Sequence, residues 1–228
     1  MEYKILHKGA YPLVEVNLGR GERLKAESGA MVAMSNTIDV DGKMEGGLMA
    51  GLGRLLAGEK FFFQTLNASR GDGTVLLAPS STGDIVDITL DGSHGMCVQK
   101  DGFLAGQEGI EVSTNMQNLA KGIFSGEGFF ILKISGKGHL FLNSFGAIHE
   151  LNLQPGEEMI VDNSHLVAWA DYMDYTIEKA SKGWISSFTS GEGLVCKFRG
   201  PGKVYIQSRN PGSFGTWLKP YIPMPSGK

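Results

Sequence analysis

Apolar and polar positions alternate along three separate stretches of the chain. A period of two is typical of a β-strand with one face buried. In each stretch a glycine follows the alternation, and a second short apolar segment resumes after it. The alternating positions are Val14, Val16 and Leu18; Val86, Ile88 and Leu90; and His149, Leu151 and Leu153. We call this recurring pattern block B.

The three copies of block B share one internal spacing. Fifteen residues separate the last alternating leucine from a later alanine in every copy, namely Leu18 to Ala33, Leu90 to Ala105 and Leu153 to Ala168. Turns are predicted between the two strands of each copy at Gly21, Gly92 and Gly156. Block B is therefore predicted to form β-hairpins at 14–33, 86–105 and 149–168.

A second pattern, block A, begins with Gly-Glu and leads through an apolar pair to a strand and a Gly-x-Gly turn. The turn glycines are Gly71 and Gly73, Gly136 and Gly138, and Gly200 and Gly202. No helix is predicted after these glycines to hold an anion, so they indicate hairpin geometry and not a phosphate site. The predicted A hairpins span 58–77, 126–142 and 191–206.

The blocks follow one another in the order B-A-B-A-B-A. This order predicts an all-β fold of three pseudo-repeats, joined as one compact unit over residues 1–214. Since the series begins with B and ends with A, we expect the first hairpin to pack against the last, so that three units surround a pseudo-threefold axis. Residues 215–228, rich in proline and glycine, are predicted to form an extended tail.

Short helical connections are predicted between each block B and the block A that follows it. In the first connection an apolar stripe occupies one face of a helix, with one arginine on the polar side. The residues are Leu48, Leu52, Leu55, Leu56 and Arg54. This leucine stripe either packs in the core or forms an interaction surface for a partner protein or a membrane interface. Trp184 and Trp217 are predicted to be buried anchors.

Composition narrows the function classes. The 33 glycines, about twice the usual share, fit many tight turns between short strands. A net charge of -3 without clustered Lys or Arg argues against nucleic-acid binding. Cys97 and Cys196 lie in apolar strand-like runs, which predicts buried, reduced thiols. The N-terminus has no signal or transit pattern and no long apolar run occurs, so we expect a cytoplasmic protein.

The sequence contains no recognisable catalytic, cofactor-binding or metal-binding motif. No two of its five histidines have the spacing that directs a pair at one metal ion. His139, His149 or His165 converging on one cavity would instead make a small-ligand- or metal-binding β-barrel, the alternative hypothesis. Glu59, Glu127 and Glu192 occupy one equivalent position in each unit. Because active sites are seldom copied three times in one chain, we predict a structural role for these glutamates.

Four segments carry a family resemblance. They are SGAMVAM from Ser28, GEGFFILKISGKGHLFLNSFGAI from Gly126, VDNSHLVAW from Val161 and GEGLVCKFRGPGKVYIQSRNP from Gly191. The chain resembles a family of bacterial proteins related to the fungal altered-inheritance-of-mitochondria protein 24. The resemblance implies a fold similar to the tryptophan RNA-binding attenuation protein, a short double-stranded β-helix present three times. It supplies no catalytic residues to transfer.

Pattern and resemblance together predict a non-enzymatic scaffold or interaction protein. We expect it to self-associate as a homo-oligomer and to contact a protein partner or, peripherally, a membrane. The mitochondrial relatives are linked to organelle biogenesis and membrane organisation, which is where the membrane expectation originates. RNA binding by a similar fold is only an analogy, and the acidic chain argues against it. No cofactor is expected.

Overall fold

The structure, a computed structural model, describes residues 1–41, 63–115, 131–179 and 194–223. It confirms the predicted all-β class. The strands are β1 (Glu2–Leu6), β2 (Leu13–Leu18), β3 (Arg23–Glu27), β4 (Met31–Met34), β5 (Asp39–Asp41), β6 (Phe63–Asn67), β7 (Gly73–Leu77), β8 (Ile85–Asp91), β9 (Met96–Gln99), β10 (Phe103–Gln107), β11 (Ile110–Asn115), β12 (Ile131–Asn143), β13 (Ile148–Leu153), β14 (Glu158–Asp162), β15 (Leu166–Ala170), β16 (Asp174–Lys179), β17 (Leu194–Arg199) and β18 (Gly202–Gln207). The predicted helical connections lie outside the described residues.

The strands form three open sheets. A four-stranded sheet has the order β1-β2-β7-β4, and a three-stranded sheet has the order β14-β17-β16. An eleven-stranded sheet follows the path β13-β18-β15-β9-β12-β10-β3-β6-β5, with β8 and β11 also paired to β12. All pairings between these strands are antiparallel.

The predicted hairpins are wrong in their pairing, although the strands and turns lie where the sequence places them. The two strands of a block B do not pair with each other; the first pairs with the second strand of the next block A. The register is the same in all three units, with Leu18 opposite Gly73, Leu90 opposite Gly138 and Leu153 opposite Gly202. All three leucines are buried. The equal spacing of block B in the sequence thus corresponds to the same strand register between block B and block A in every unit.

The tail of each block B pairs with the other edge of the same A strand. Each of these pairings contains a one-residue irregularity at the equivalent place, between Met31 and Ala33, between Phe103 and Ala105, and between Leu166 and Ala168. A β-bulge of this kind bends a strand and increases its local twist. In each block B the recurring alanine of the sequence pattern therefore lies on one side of a bulge, and Met31, Phe103 or Leu166 lies on the other side.

The second strand of each block B pairs with the first strand of the following block A. Equivalent pairs are Leu24 with Leu66, Met96 with Ile134 and Met159 with Phe198. A further strand that the sequence pattern did not reveal, β5, β11 or β16, covers the other edge of that A strand. The first and third units therefore contribute strands to two different sheets, whereas the strands of the second unit all lie in the eleven-stranded sheet.

The Gly-x-Gly pairs are corners and not hairpin turns. In the middle unit β12 passes without a break from Ile131 to Asn143 and pairs with β9 and β11 before the glycines and with β8 and β10 after them. Gly136 has a φ of 99°, and a Cβ atom there would lie 2.0 Å from the carbonyl oxygen of Gly109. Glycine is needed here because the strand exchanges its pairing partners at a close backbone contact.

Neighbouring units join through strand pairing. Strand β10 of the second unit pairs with β3 of the first, and β15 of the third pairs with β9 of the second. The expected packing of the first hairpin against the last is not formed by strand pairing within the described residues, because β2 pairs with β7 of its own unit. Strands β4 and β14 remain at the edges of two separate sheets.

Two apolar clusters form the core. One contains the side chains of the second and third units, with Trp169, Phe103 and Phe198 as its largest buried members. The other fills the first unit and extends through Phe141 into the second. Burial of these side chains stabilises the sheets by roughly 1.5–3 kcal/mol per large apolar residue.

The predicted extended tail is wrong over its first part. Residues Pro211–Leu218 form helix α1, and a 3₁₀ turn at Lys219–Tyr221 follows it. The Asn210 side chain accepts a hydrogen bond from the Ser213 backbone N–H, and Pro211 occupies the first turn. Asparagine before proline is a typical helix start, because the cap satisfies a free N–H and proline presets φ.

Candidate interaction surfaces

The predicted interaction stripe, Leu48, Leu52, Arg54, Leu55 and Leu56, lies outside the described residues. The repeated glutamates Glu59, Glu127 and Glu192 and the tryptophan Trp184 lie outside them as well. Their assigned roles stay predictions.

The three candidate histidines have separate environments. The His139 ring contacts Tyr3 at a centroid distance of 4.8 Å and lies 3.3 Å from the Thr89 hydroxyl. His165 Nδ1 is 2.7 Å from the Gln207 carbonyl oxygen, whereas His149 is exposed on β13. Across residues 1–41, 63–115, 131–179 and 194–223, no group of three or more His, Cys, Asp or Glu side chains is arranged to hold a metal ion.

Cys97 and Cys196 are buried free thiols, as the sequence predicts. Burial raises the pKa of Cys97 to about 11 and that of Cys196 to about 12. A thiol becomes a strong nucleophile only as the thiolate, so both groups are inert at neutral pH. They fill space in the core and do not supply chemistry.

A polar contact joins the N-terminal strand to the second unit. The Tyr3 hydroxyl donates a 2.8 Å hydrogen bond to the Asp87 carboxylate, and its ring meets Phe141 edge to face at 4.9 Å. Burial and then this hydrogen bond raise the pKa of Tyr3 to about 12. Tyr3 is therefore a neutral donor that fixes β1 against β8, which is a structural role.

A second tyrosine–carboxylate pair lies in the third unit. The buried Tyr205 hydroxyl donates a 2.8 Å hydrogen bond to Glu150, whose other oxygen accepts from Lys203 Nζ at 2.9 Å. Burial acts to raise the pKa of Glu150, but the hydrogen bonds from Lys203 and Tyr205 bring it below its usual value. Because both carboxylate oxygens are used, this group is held as a fixed anion and is a poor proton acceptor.

A perturbed carboxyl group lies at the junction between the first two units. Burial, and then the negative charge of Asp101, raise the pKa of Glu27 to about 7. Glu27 ends β3, and Asp101 lies in the 3₁₀ turn Lys100–Gly102 just before β10, the two strands that pair across the junction. The shift thus reports the packing of one unit against the next.

Two of the strands at sheet edges, β4 and β14, carry exposed apolar side chains. Val32 and Met34 of β4 and Ile160 of β14 are all exposed, although their strands are otherwise regular members of a sheet. An edge strand presents free N–H and C=O groups that can pair with another strand. These edges are the first candidate interaction surface.

The second candidate surface is an aromatic ladder formed by Phe214 and Trp217 of helix α1, Tyr221 of the 3₁₀ turn and Phe145, which precedes β13. Successive ring centroids lie 5.4, 5.7 and 5.3 Å apart. The prediction that Trp217 is buried is wrong, because it is 60% exposed and no residue of α1 is buried. The Asn-Pro pair at 210–211 is the signal that could have revealed this helix.

In the part of the chain that the structure describes, no helix combines the length and the apolar character needed to cross a bilayer.

The fold and these surfaces define an all-β protein of three similarly paired strand sets. A family model described as mitochondrial biogenesis AIM24 matches residues 3–209, and the chain belongs to this family. An uncharacterized protein of Streptococcus pyogenes serotype M6 is 34% identical over 233 residues, which are 99% of this chain and 93% of the relative. The sequence resemblance is therefore confirmed.

A solved structure is also similar. The crystal structure of a Streptococcus pyogenes protein has a TM-score of 0.80 and 34% sequence identity to this chain. The similarity covers 97% of this chain and 99% of the other. Fold and sequence thus agree on the family over nearly the full length.

Proposed function

We propose that the protein is a non-enzymatic scaffold that associates with copies of itself. The observation that carries this proposal is the pair of open edges, β4 in the four-stranded sheet and β14 in the three-stranded sheet. Unpaired strand edges with exposed apolar side chains favour association, since the backbone groups and the side chains are both satisfied by a further strand.

The proposal includes a threefold arrangement of units. We infer that each B and A pair winds as a short double-stranded β-helix, similar to the tryptophan RNA-binding attenuation protein, and that the three units surround a pseudo-threefold axis. The joint between the third unit and the first is not formed by strand pairing within the described residues, so the arrangement is open there. The equal registers of Leu18, Leu90 and Leu153 against a glycine support this inference. So do the three bulges at equivalent alanines.

The non-enzymatic part of the proposal is supported by how the perturbed groups are used. The thiols are buried, and Tyr3, Tyr205 and Glu150 are engaged in hydrogen bonds that hold strands together. Nucleic acid is not among the proposed partners, because the net charge is -3. A cytoplasmic location, expected from the sequence, belongs to the same proposal.

A peripheral contact with a membrane or protein partner is the second element of the scaffold role. The aromatic ladder on α1 supports it, because Trp and Tyr side chains favour the boundary between water and an apolar phase.

Sedimentation velocity of the purified chain over a wide concentration range tests self-association. We expect a species whose mass is a multiple of 24.5 kDa and whose population falls on dilution. A single-chain mass at every concentration would contradict the proposal. Since the measurement uses the unmodified protein, its outcome does not depend on which surface mediates assembly.

A further inference from the structure

The two junctions between units use one register. At the first junction Ala26 lies opposite Ala105 and Lys25 opposite Gly106. At the second, the equivalent pairs are Val98 with Ala168 and Cys97 with Trp169. In both cases the tail strand of a later block B pairs with the second strand of the preceding block B. The chain therefore repeats one antiparallel joint.

A third joint of the same kind has both of its halves in this chain. Strand β4 is equivalent to β10 and β15, because all three pair with an A strand across the same bulge. Strand β14 is equivalent to β3 and β9, because all three pair with the first strand of a block A. Yet among the strands that the structure describes, β4 and β14 each have a neighbour on one side only.

The exposed fractions of equivalent side chains differ between the joint that is not formed and the two joints that are. Val32 in β4 is 56% exposed, whereas its equivalents Leu104 and Val167 are 0% and 2% exposed. Ile160 in β14 is 40% exposed, whereas its equivalent Cys97 is 3% exposed. Val32 and Ile160 are apolar like Leu104, Val167 and Cys97, although Lys25 holds the equivalent position in β3. Among the described residues no strand covers Val32 and Ile160.

We propose that β4 of one copy pairs antiparallel with β14 of a second copy and so joins copies head to tail. The register of the formed joints places Ala33 opposite Val161 and Met34 opposite Ile160. This proposal rests on the self-associating scaffold proposed above and names its contact. A joint between two different surfaces is heterologous, so it builds a ring if the rotation closes and an open filament if it does not.

A second copy of the chain is the partner that these edges fit, because the chain itself supplies both complementary strands. The register, the bulge and the apolar positions of β4 match those of β10 and β15, whose partners are equivalents of β14. Met34 and Ile160, both exposed, would cover each other across the strands. Cross-strand apolar pairs stabilise a sheet in this way.

Cysteine cross-linking tests the register. Chains with Met34→Cys are mixed with chains carrying Ile160→Cys under mild oxidation, while the native thiols stay buried. Opposite residues of an antiparallel pair have Cα atoms about 4.5–5.5 Å apart, which a disulfide spans. We expect a disulfide-linked dimer from the mixture. Val40→Cys replaces Met34→Cys in the control mixture, since Val40 is similarly exposed on another strand.

Four outcomes are informative. Linked dimers well above the Val40→Cys control support the proposal. Linking no greater than this control overturns it. A chain carrying both Met34→Cys and Ile160→Cys distinguishes the two ways of closing the joint: a ladder of linked chains supports pairing between copies, whereas a chain linked only to itself overturns it.

Charge variants distinguish the proposed β4–β14 contact from the broader proposal that the chain self-associates. Met34→Lys with Ile160→Lys places like charges opposite each other and should weaken association by on the order of tenfold or more. Met34→Lys with Ile160→Glu should restore much of it. If the wild type assembles and neither variant changes the assembly, the β4–β14 contact is wrong while self-association stands. If the wild type is a single chain throughout, both proposals fail.

Discussion

The Tyr3 hydroxyl lies 2.8 Å from the Asp87 carboxylate and donates a hydrogen bond to it across 84 positions of the chain. Tyr3→Phe removes the donor and leaves the ring contacts with Phe141 and His139 in place. We expect a loss of about 1 kcal/mol in the free energy of unfolding, measured by urea titration. The same change at exposed Tyr11 is the control and should have no measurable effect.

Gly136→Ala should be severely destabilising. The residue has a φ of 99°, and the new methyl group would lie 2.0 Å from the Gly109 carbonyl oxygen. Strain and clash together should cost about 2–4 kcal/mol in the free energy of unfolding, read from thermal or urea denaturation.

Gly156→Ala is the matched control for this corner. Gly156 also has a positive φ, 80°, but nothing lies within 4 Å of the added methyl group. Only the backbone strain remains, so we expect a loss of about 1 kcal/mol. Equal losses in the two variants would show that the close approach to Gly109 is not what requires glycine.

Glu27 should make stability depend on pH. Burial and Asp101 raise its folded pKa from 4.5 to about 7, so folding favours the protonated form. This contribution to stability is full below pH 4.5 and is lost as the pH rises through about 7. Glu27→Gln should flatten the decline and stabilise the protein at about pH 8 by on the order of 1 kcal/mol.

The comparison is made by urea titration of wild type and variant across this pH range. Asp101→Asn removes the neighbouring charge and should make the decline smaller and end it at a lower pH, because the ionised Glu27 is then less disfavoured and its folded pKa falls. A decline that is unchanged in Glu27→Gln would assign it to another group.

Both thiols should be unreactive in the folded chain. Cys97 and Cys196 are buried, and their pKa values are raised to about 11 and about 12. With Ellman's reagent at mildly alkaline pH we expect negligible reaction of native protein and two equivalents in denaturant. Rapid native labelling of either thiol would place it outside the core.

Trp217 should report a peripheral membrane contact. With vesicles of phosphatidylcholine and phosphatidylglycerol, we expect its emission to shift to shorter wavelength as the aromatic ladder enters the interface. Trp217→Ser should abolish the shift and change stability by no more than about 0.5 kcal/mol, because no residue of α1 is buried. An unshifted wild-type spectrum, or a shift retained in the variant, excludes the ladder as the membrane contact.

Tyr11→Ser serves as the control for this substitution. Tyr11 is as exposed as Trp217 but lies outside the ladder, so its loss should leave the emission shift unchanged.

The alternation of Val14, Val16 and Leu18 was sufficient to predict a strand, because burying one face of an extended chain requires a period of two. Gly21 was correctly predicted as a turn, since its φ of 88° favours glycine. Strand alternation and turn position are local properties of the sequence. The burial of Cys97 and Cys196 could be predicted in the same way. The same local reasoning failed at Trp217, where apolar character alone indicated burial.

The pairing of the strands could not be predicted from the sequence patterns of blocks A and B. Gly-x-Gly between two strands fits a hairpin turn and a corner equally well in the sequence. The structure selects the corner, because Leu90 and Met96, close in sequence, pair with Gly138 and Ile134 in two different halves of β12. The candidate edge strands could not be predicted from the sequence either. The exposure of Met34 and Ile160 depends on whether another strand pairs beside them, which the local pattern does not specify.

The sequence by itself determined the all-β class, the three copies of each block, the positions of their turns and the burial of both thiols, because periodicity and residue type act over a few neighbours. Only the tertiary structure decided that B pairs with A, that units join β3 to β10 and β9 to β15, and that β4 and β14 are left open. Pairing depends on contacts between residues far apart in the chain, and no local pattern specifies them.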